Sequence, residues 1–250
     1  MNWPRPQWRN SGNEAFLLWF VFGDFVPDFQ IDAVRYRTRG TPPGIDVVRY
    51  VNKALAKWDG YPLAGALGGI LYDENAVTFE AAQRASECVM LRGALADPPD
   101  LDSLRDLIGT ISALTDLGGV AVVDPQMLSL FDGATWRQRF FASDACDPRD
   151  HVLILCSEDE QNPGRIYVHT RGMRKFARPD IGIRNVPSDA AGAAGDLAGR
   201  FVQTQASGAI IEEGYTVSFA GSSATMSVRI AGALNDPEFS NRHLALRWPD

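Results

Sequence analysis

Seven consecutive residues, Phe16-Leu17-Leu18-Trp19-Phe20-Val21-Phe22, carry no polar side chain. A half-exposed strand alternates apolar and polar positions, whereas an unbroken run of aromatic and branched residues needs cover on both faces. The run lies between Glu14 and Asp24, ends at Gly23, and is too short to cross a bilayer. It lacks the small-residue cleavage site of a signal peptide. It is expected to be a central strand, and a chain of 250 residues with 45% hydrophobic content can supply the core that covers it.

Helical and strand periods are mixed through the first half. Between 45 and 58, Val47, Val48, Val51, Leu55 and Trp58 share one helical face, with Arg49, Lys53 and Lys57 as a basic stripe on another, so a helix is expected there. Leu67-Gly68-Gly69-Ile70-Leu71-Tyr72-Asp73 and Leu117-Gly118-Gly119-Val120-Ala121-Val122-Val123-Asp124 resemble each other as a glycine pair, a short apolar strand and an Asp. They suggest a weak internal duplication. A helix is expected over about 79–95, ended by the linker Asp97-Pro98-Pro99. Another should follow Asp100, where Leu104, Leu107, Ile108, Ile111 and Leu114 keep the 3.6 period.

Downstream, a short helix near 136–141 precedes strands at 152–155 and 165–170. The Asn162-Pro163-Gly164 turn between them predicts an antiparallel hairpin. A helix over 193–206 stops at Gly208, with Gly192, Gly195 and Gly199 offering a small face for close packing. The last forty residues alternate: Tyr215, Val217 and Phe219, then Met226, Val228 and Ile230, then Leu244, Leu246 and Trp248. These spacings mark half-buried antiparallel strands. The class expected is α+β, a mixed sheet with packed helices and a C-terminal antiparallel meander. No flexible linker divides the chain, so 1–250 reads as a single domain, with halves 1–117 and 118–250 as the alternative.

The formal charge of −7 argues against dedicated nucleic-acid binding, which needs a basic surface to neutralise phosphates. Cys88, Cys146 and Cys156 are an odd, scattered set that fits a reducing cytoplasm. The spacing Cys146, His151, Cys156 is a poor metal site. On one strand His151 and Cys156 would point to opposite faces about 16 Å apart at ~3.3 Å per residue. No metal and no cofactor is expected. The nucleotide, zinc-protease and serine-hydrolase motifs are missing, and none of His151, His169 and His243 neighbours a recognisable nucleophile.

Two other groups of residues invite chemistry. Asp73 and Asp124 each close an expected strand, from which a carboxylate can reach a cleft or simply cap a turn. Glu158-Asp159-Glu160 reads as a solvated hairpin end. The aromatic N-terminal stretch places Trp3 and Trp8 in a polar arm, 1–12, ahead of Phe16, Trp19, Phe20, Phe22, Phe25 and Phe29. That arm either folds back or docks on another chain.

The strongest local signal is the segment 165–184, which carries Arg165, Arg171, Arg174, Lys175, Arg178 and Arg184 against Asp180 alone. Within it, Thr170-Arg171-Gly172-Met173-Arg174-Lys175-Phe176 leaves a strand through a glycine and enters a helical turn ended by Pro179. Such a junction can aim backbone N–H groups and guanidinium forks at an anion. Arg171, Arg174, Lys175 and Arg178 are therefore the candidate binding residues, provided carboxylates elsewhere in the chain leave them unneutralised.

The run 170–180, the stretch 119–136 and Asn235-Asp236-Pro237-Glu238-Phe239-Ser240-Asn241 resemble an uncharacterised bacterial domain-of-unknown-function family over about the last half of the chain. The resemblance implies a bacterial cytoplasmic α+β protein and carries over no catalytic residue. Together these features point to a cytoplasmic, non-catalytic module that binds another protein through a basic patch, of immunity or adaptor type, with neither nucleic acid nor membrane as partner. The alternative is an enzyme on a small phosphorylated or carboxylated substrate, with an arginine clamp and Asp73 or Asp124 as acid–base or metal-binding group.

Overall fold

The computed structural model describes residues 2–26, 30–51, 53–218 and 225–250. The fold is α+β, and the chain divides into two compact units. The first contains Phe16–Leu95 and Asp100–Cys146 with the residues up to Pro4; the second contains Arg5–Ala15, Ala96–Pro99 and Asp147–Asp250. No helix among the described residues is long and apolar enough to cross a membrane.

In the first unit, strand β1 (Glu14–Gly23) occupies the centre of a five-stranded sheet, as its unbroken apolar run requires. The sheet order is β2 (Ile45–Val51), β3 (Glu87–Ala96), β1, β4 (Gly119–Asp124) and β5 (Ser129–Phe131). Phe20 and Phe22 enter a core with Leu71, Phe79, Cys88, Ala121 and Val123. Trp19 meets the edge of Trp136 at 6.5 Å, and the Trp136 indole donates to Ser112 Oγ at 3.2 Å. Both faces of β1 are thus covered.

The helices of this unit are α1 (Lys53–Ala56), α2 (Gly65–Glu74), α3 (Ala76–Arg84), α4 (Asp102–Asp116) and α5 (Gly133–Trp136), the last continued by a π-helical turn, Arg137–Phe141. Helix α4 is buried from Leu104 to Leu114. Its Gly109 admits the Tyr36 backbone so closely that an added Cβ would lie 2.1 Å from the Tyr36 carbonyl oxygen. The N-cap of α4 is Leu101, without a side-chain cap, and Asp100 just ahead of it accepts from the Asp102 N–H at 3.0 Å.

Three expectations for this unit are corrected. The segment 45–58 is mainly the strand β2, paired antiparallel along its length with β3. Its helical period comes from Val47, Val48 and Val51, whose branched side chains suit a strand equally well, and cross-strand pairing decides. The basic stripe dissolves accordingly, and Arg49 pairs with Glu87 at 2.6 Å. The helix expected over 79–95 stops at Arg84, because Cys88, Val89 and Leu91 are drawn into the sheet as β3. The segment 67–73 is part of α2 whereas 119–124 is β4, so the suggested duplication has no structural counterpart.

The second unit has a five-stranded sheet in the order β11 (Arg229–Ala231), β12 (His243–Arg247), β8 (Asp180–Val186), β7 (Ile166–Arg171) and β6 (Leu153–Glu158). The β6–β7 hairpin and the β7–β8 pair are antiparallel; β12 runs parallel to β8 and antiparallel to β11. A separate two-stranded hairpin joins β9 (Thr216–Ser218) and β10 (Thr225–Ser227). Of the alternating residues in the last forty, Val217, Met226, Ile230, Leu244 and Leu246 lie in strands, whereas Tyr215, Val228 and Trp248 fall just outside them and Tyr215 and Ile230 are exposed; Phe219 lies outside the described residues, as does Phe29. Helix α6 (Ala191–Ala206) packs Leu197, Ala198, Phe201 and Val202 inward. A Cβ added at its Gly192 or Gly195 would meet no atom within 4 Å, so these glycines serve no close helix approach.

Candidate functional site

In the second unit, β7 ends at Arg171, and the chain turns through Gly172 at φ +119°. A side chain there would strike the His151 carbonyl oxygen at 2.6 Å, so the turn demands glycine. One 3-10 turn, Met173–Phe176, follows before β8. The buried carboxylate of Asp180 closes the loop on itself. It accepts from Thr170 Oγ1 at 2.9 Å, from the Met173 N–H at 3.2 Å and from Asn241 Nδ2 at 2.8 Å. Burial pushes the Asp180 carboxyl up to about 6, although the hydrogen bonds from Asn241 and Thr170 oppose that rise. The Met173 N–H, which the sequence offered to an external anion, is therefore already taken by Asp180.

The four candidate cations separate by direction. Lys175 is 1% exposed and donates from Nζ to the His151 carbonyl at 3.0 Å. Arg178 is 2% exposed and pairs with Asp97 at 2.7 Å, while its other donors reach the carbonyls of Gly208, Arg9 and Ala209. These two are structural groups and cannot form part of an accessible basic patch, which corrects the sequence expectation. A 3-10 turn places successive residues about 120° apart, so Met173, Lys175 and Phe176 can face inward while Arg174 faces out. Arg174 is half-buried and donates to the Ser240 carbonyl at 3.4 Å. Arg171 donates to the Glu238 carbonyl, and burial lowers its pKa from the usual guanidinium value.

The anion that quenches Arg178 is Asp97, in the linker that the sequence presented as a mere break. It also pairs with Arg5 at 2.7 Å and accepts from the Ser11 N–H at 2.8 Å. Burial works against the charged carboxylate, and the hydrogen bonds from Ser11, Arg178 and Arg5 more than compensate, holding its pKa below the ordinary value. The guanidinium of Arg5 also reaches the carbonyls of Phe176 and Ala206 at 2.8 and 3.1 Å. Through these bonds the arm 5–11 is fastened within the second unit. Trp8 is 36% exposed, whereas Trp3, in the first unit, is buried and donates to the Asp144 carbonyl at 2.8 Å.

Beside the 170–180 loop opens a cleft of about 500 Å³. Arg174 and Arg242 line it together with Glu14, Ile211, Ile230 and Leu234. Arg242 is exposed, and among the described residues no hydrogen bond or ion pair engages its side chain. No sequence signal singles it out, because it stands alone between Asn241 and His243. The segments 170–180 and 235–241, noted separately in the sequence, meet here: Arg171 and Arg174 bond Glu238 and Ser240, and Asn241 bonds Asp180 and the Arg178 carbonyl.

The expected carboxylate pair has different surroundings. Asp124 is 1% exposed and accepts from the Trp19 indole at 3.0 Å and from the backbone of Gln126 and Met127. Asp73 is exposed on α2 and ends no strand. Asp159, expected at a solvated hairpin tip, is 1% exposed and holds Arg184, Asn162 and the Asn185 N–H. His151 is buried edge-on to Phe176, and Cys156 is exposed on β6. Among the described residues no group of three or more His, Cys, Asp or Glu is placed to hold a metal ion.

No family model, curated protein or solved structure matches this chain. What can be said of function rests on the geometry of the cleft.

Proposed function

We propose that the chain is a cytoplasmic binding module of adaptor or immunity type that engages another protein through the cleft of its second unit. The single observation that carries this reading is the juxtaposition of two guanidinium groups, Arg174 and Arg242, with the apolar side chains of Ile211, Ile230 and Leu234 in one concavity. Ile230 and Leu234 are 44% and 57% exposed, so apolar area is left for a partner to cover. Arginine forks beside such area suit an acidic side chain carried on an apolar segment. The binding residues are thus Arg174 and Arg242, with Arg178 and Lys175 supporting the loop from inside.

A cleft of about 500 Å³ is also the size of a small-molecule pocket, which keeps a small carboxylated or phosphorylated ligand as the second reading. Affinity capture from host lysate with the wild type and with an Arg174→Glu, Arg242→Glu variant tests the first. A partner retained by the wild type and lost by the double reversal supports it, and identical partner lists contradict it. Calorimetric titration with inorganic phosphate or citrate, showing saturable binding that the same variant abolishes, would favour the second.

A further inference from the structure

The cleft beside the 170–180 loop is lined by more than cations. Glu14, at the head of β1 but within the second unit, lines it as well. It is exposed, and among the described residues no hydrogen bond or ion pair engages its side chain. The same holds for Arg242, so an anion and a cation share one concavity without pairing with each other. Arg178 also lines the cleft but is excluded as a binding group, because its Nε, Nη1 and Nη2 donors all have partners within the chain.

A third group points to a ligand independently. Gln205 reaches the cleft from α6 and is 0% exposed. Its Nε2 donates to the Pro179 carbonyl at 3.1 Å, and Oε1, at the other end of the amide, is buried without a hydrogen-bond partner. An unpaired buried acceptor is costly, and a ligand N–H that met it would remove that cost. The lining therefore presents a carboxylate and an amide oxygen that call for donors, a guanidinium that calls for an anion, and the apolar side chains of Ile211, Ile230 and Leu234. Inorganic phosphate answers only the guanidinium. A peptide with free ends supplies every complement: an ammonium, amide N–H groups, apolar side chains and a carboxylate. The cleft volume of about 500 Å³ suits a ligand of roughly two or three residues.

We propose that the cleft binds a short apolar peptide with both termini free, its ammonium at Glu14, an amide N–H at Gln205 Oε1 and its carboxylate at Arg242. The proposal rests on the small-ligand reading of the cleft and narrows that reading to one ligand class.

The probe is the tripeptide Leu-Ala-Leu, titrated calorimetrically beside its N-acetyl derivative, its C-terminal amide, and citrate. The wild type should bind the free tripeptide at least about tenfold more tightly than either derivative. Glu14→Gln should erase the preference over the acetylated form alone, and Arg242→Gln the preference over the amide alone. Both residues are exposed, so both variants should fold. Gln205→Met, once shown to be folded, should weaken all three peptides alike, since each keeps its internal amides. A tripeptide bound no better than its acetylated form, or a preference that survives in Glu14→Gln, overturns the proposal. Citrate binding that Arg242→Gln abolishes would in that case leave the small-ligand reading standing, whereas no saturable binding of either tripeptide or citrate overturns both.

Discussion

Arg178 and Asp97 form a 2.7 Å ion pair in which the two side chains are 1% and 0% exposed. With Arg5 on the other carboxylate oxygen, one anion holds two buried cations. Removing the anion strands both guanidinium groups without water. Asp97→Ala is expected to cost about 3–5 kcal/mol, read as a lower urea midpoint. Loss of less than about 1 kcal/mol would show that water or other acceptors already satisfy the arginines. Replacing all three residues by apolar ones of similar volume should recover part of the loss.

Arg174 and Arg242 should behave in the opposite way. Arg174 is half-buried and Arg242 exposed, both on the wall of an open cleft, so Arg174→Glu and Arg242→Glu should each shift stability by no more than about 0.5 kcal/mol. Denaturation of the single variants checks this. A large loss would make either residue a structural group like Arg178.

His169 and Asp180 give opposing pH dependences. Burial, then Arg171, Arg184 and His243, push the His169 imidazole down to about 4, and burial pushes the Asp180 carboxyl up to about 6. As pH falls from 6.5 towards 4, the unfolded chain takes up a proton at His169 that the fold refuses, so stability drops. As pH rises from 4 towards 6, the unfolded chain releases a proton at Asp180 that the fold retains, so stability also drops. Each effect is worth roughly 3 kcal/mol at ~1.4 kcal/mol per pH unit, and in the wild type they largely offset. Asp180→Asn should therefore make stability rise more steeply with pH between 4 and 6.5 than in the wild type, and His169→Gln should make it fall. Urea midpoints at several pH values decide; parallel profiles for all three proteins would contradict this assignment.

Asp124 tests the enzyme reading. Its carboxylate serves the Trp19 indole and a tight turn at Gln126 and Met127, so Asp124→Ala should cost about 1–3 kcal/mol through the unpaired donors. Ligand binding in the cleft should be unchanged in the folded variant. Loss of binding with intact stability would instead mark Asp124 as a functional group.

Gly109 lies where α4 meets the Tyr36 backbone. An alanine would gain about 1 kcal/mol in helix propensity but forces backbone apart at a 2.1 Å contact. Overpacking of this kind costs about 1–3 kcal/mol, so Gly109→Ala is expected to lower the thermal midpoint. An unchanged or raised midpoint would show that the 36–38 segment can move away freely.

The central strand β1 was legible from its unbroken apolar run, the β6–β7 hairpin from its Asn162-Pro163-Gly164 turn, and helices α4 and α6 from a helical spacing with clear punctuation. The segment 45–58 was not, since valines at 47, 48 and 51 keep a helical spacing while their branched side chains suit a strand, and only pairing with β3 decides between the two. At the site, Arg174 was legible as one of a cationic run, but the run alone could not say which cations turn inward. That depended on Asp97, distant in sequence, and on a 3-10 turn that sends Arg174 outward and Lys175 inward. Arg242 was invisible to sequence because its meaning comes from the neighbours it acquires in the cleft.

The most direct test of the account is quantitative capture of a host protein by the wild type, by Arg174→Glu, Arg242→Glu, and by an exposed control reversal, Arg229→Glu. The cleft account predicts a partner held by the wild type and the control and released by the double reversal, with all three proteins equally folded. Equal recovery of every partner by all three would contradict it.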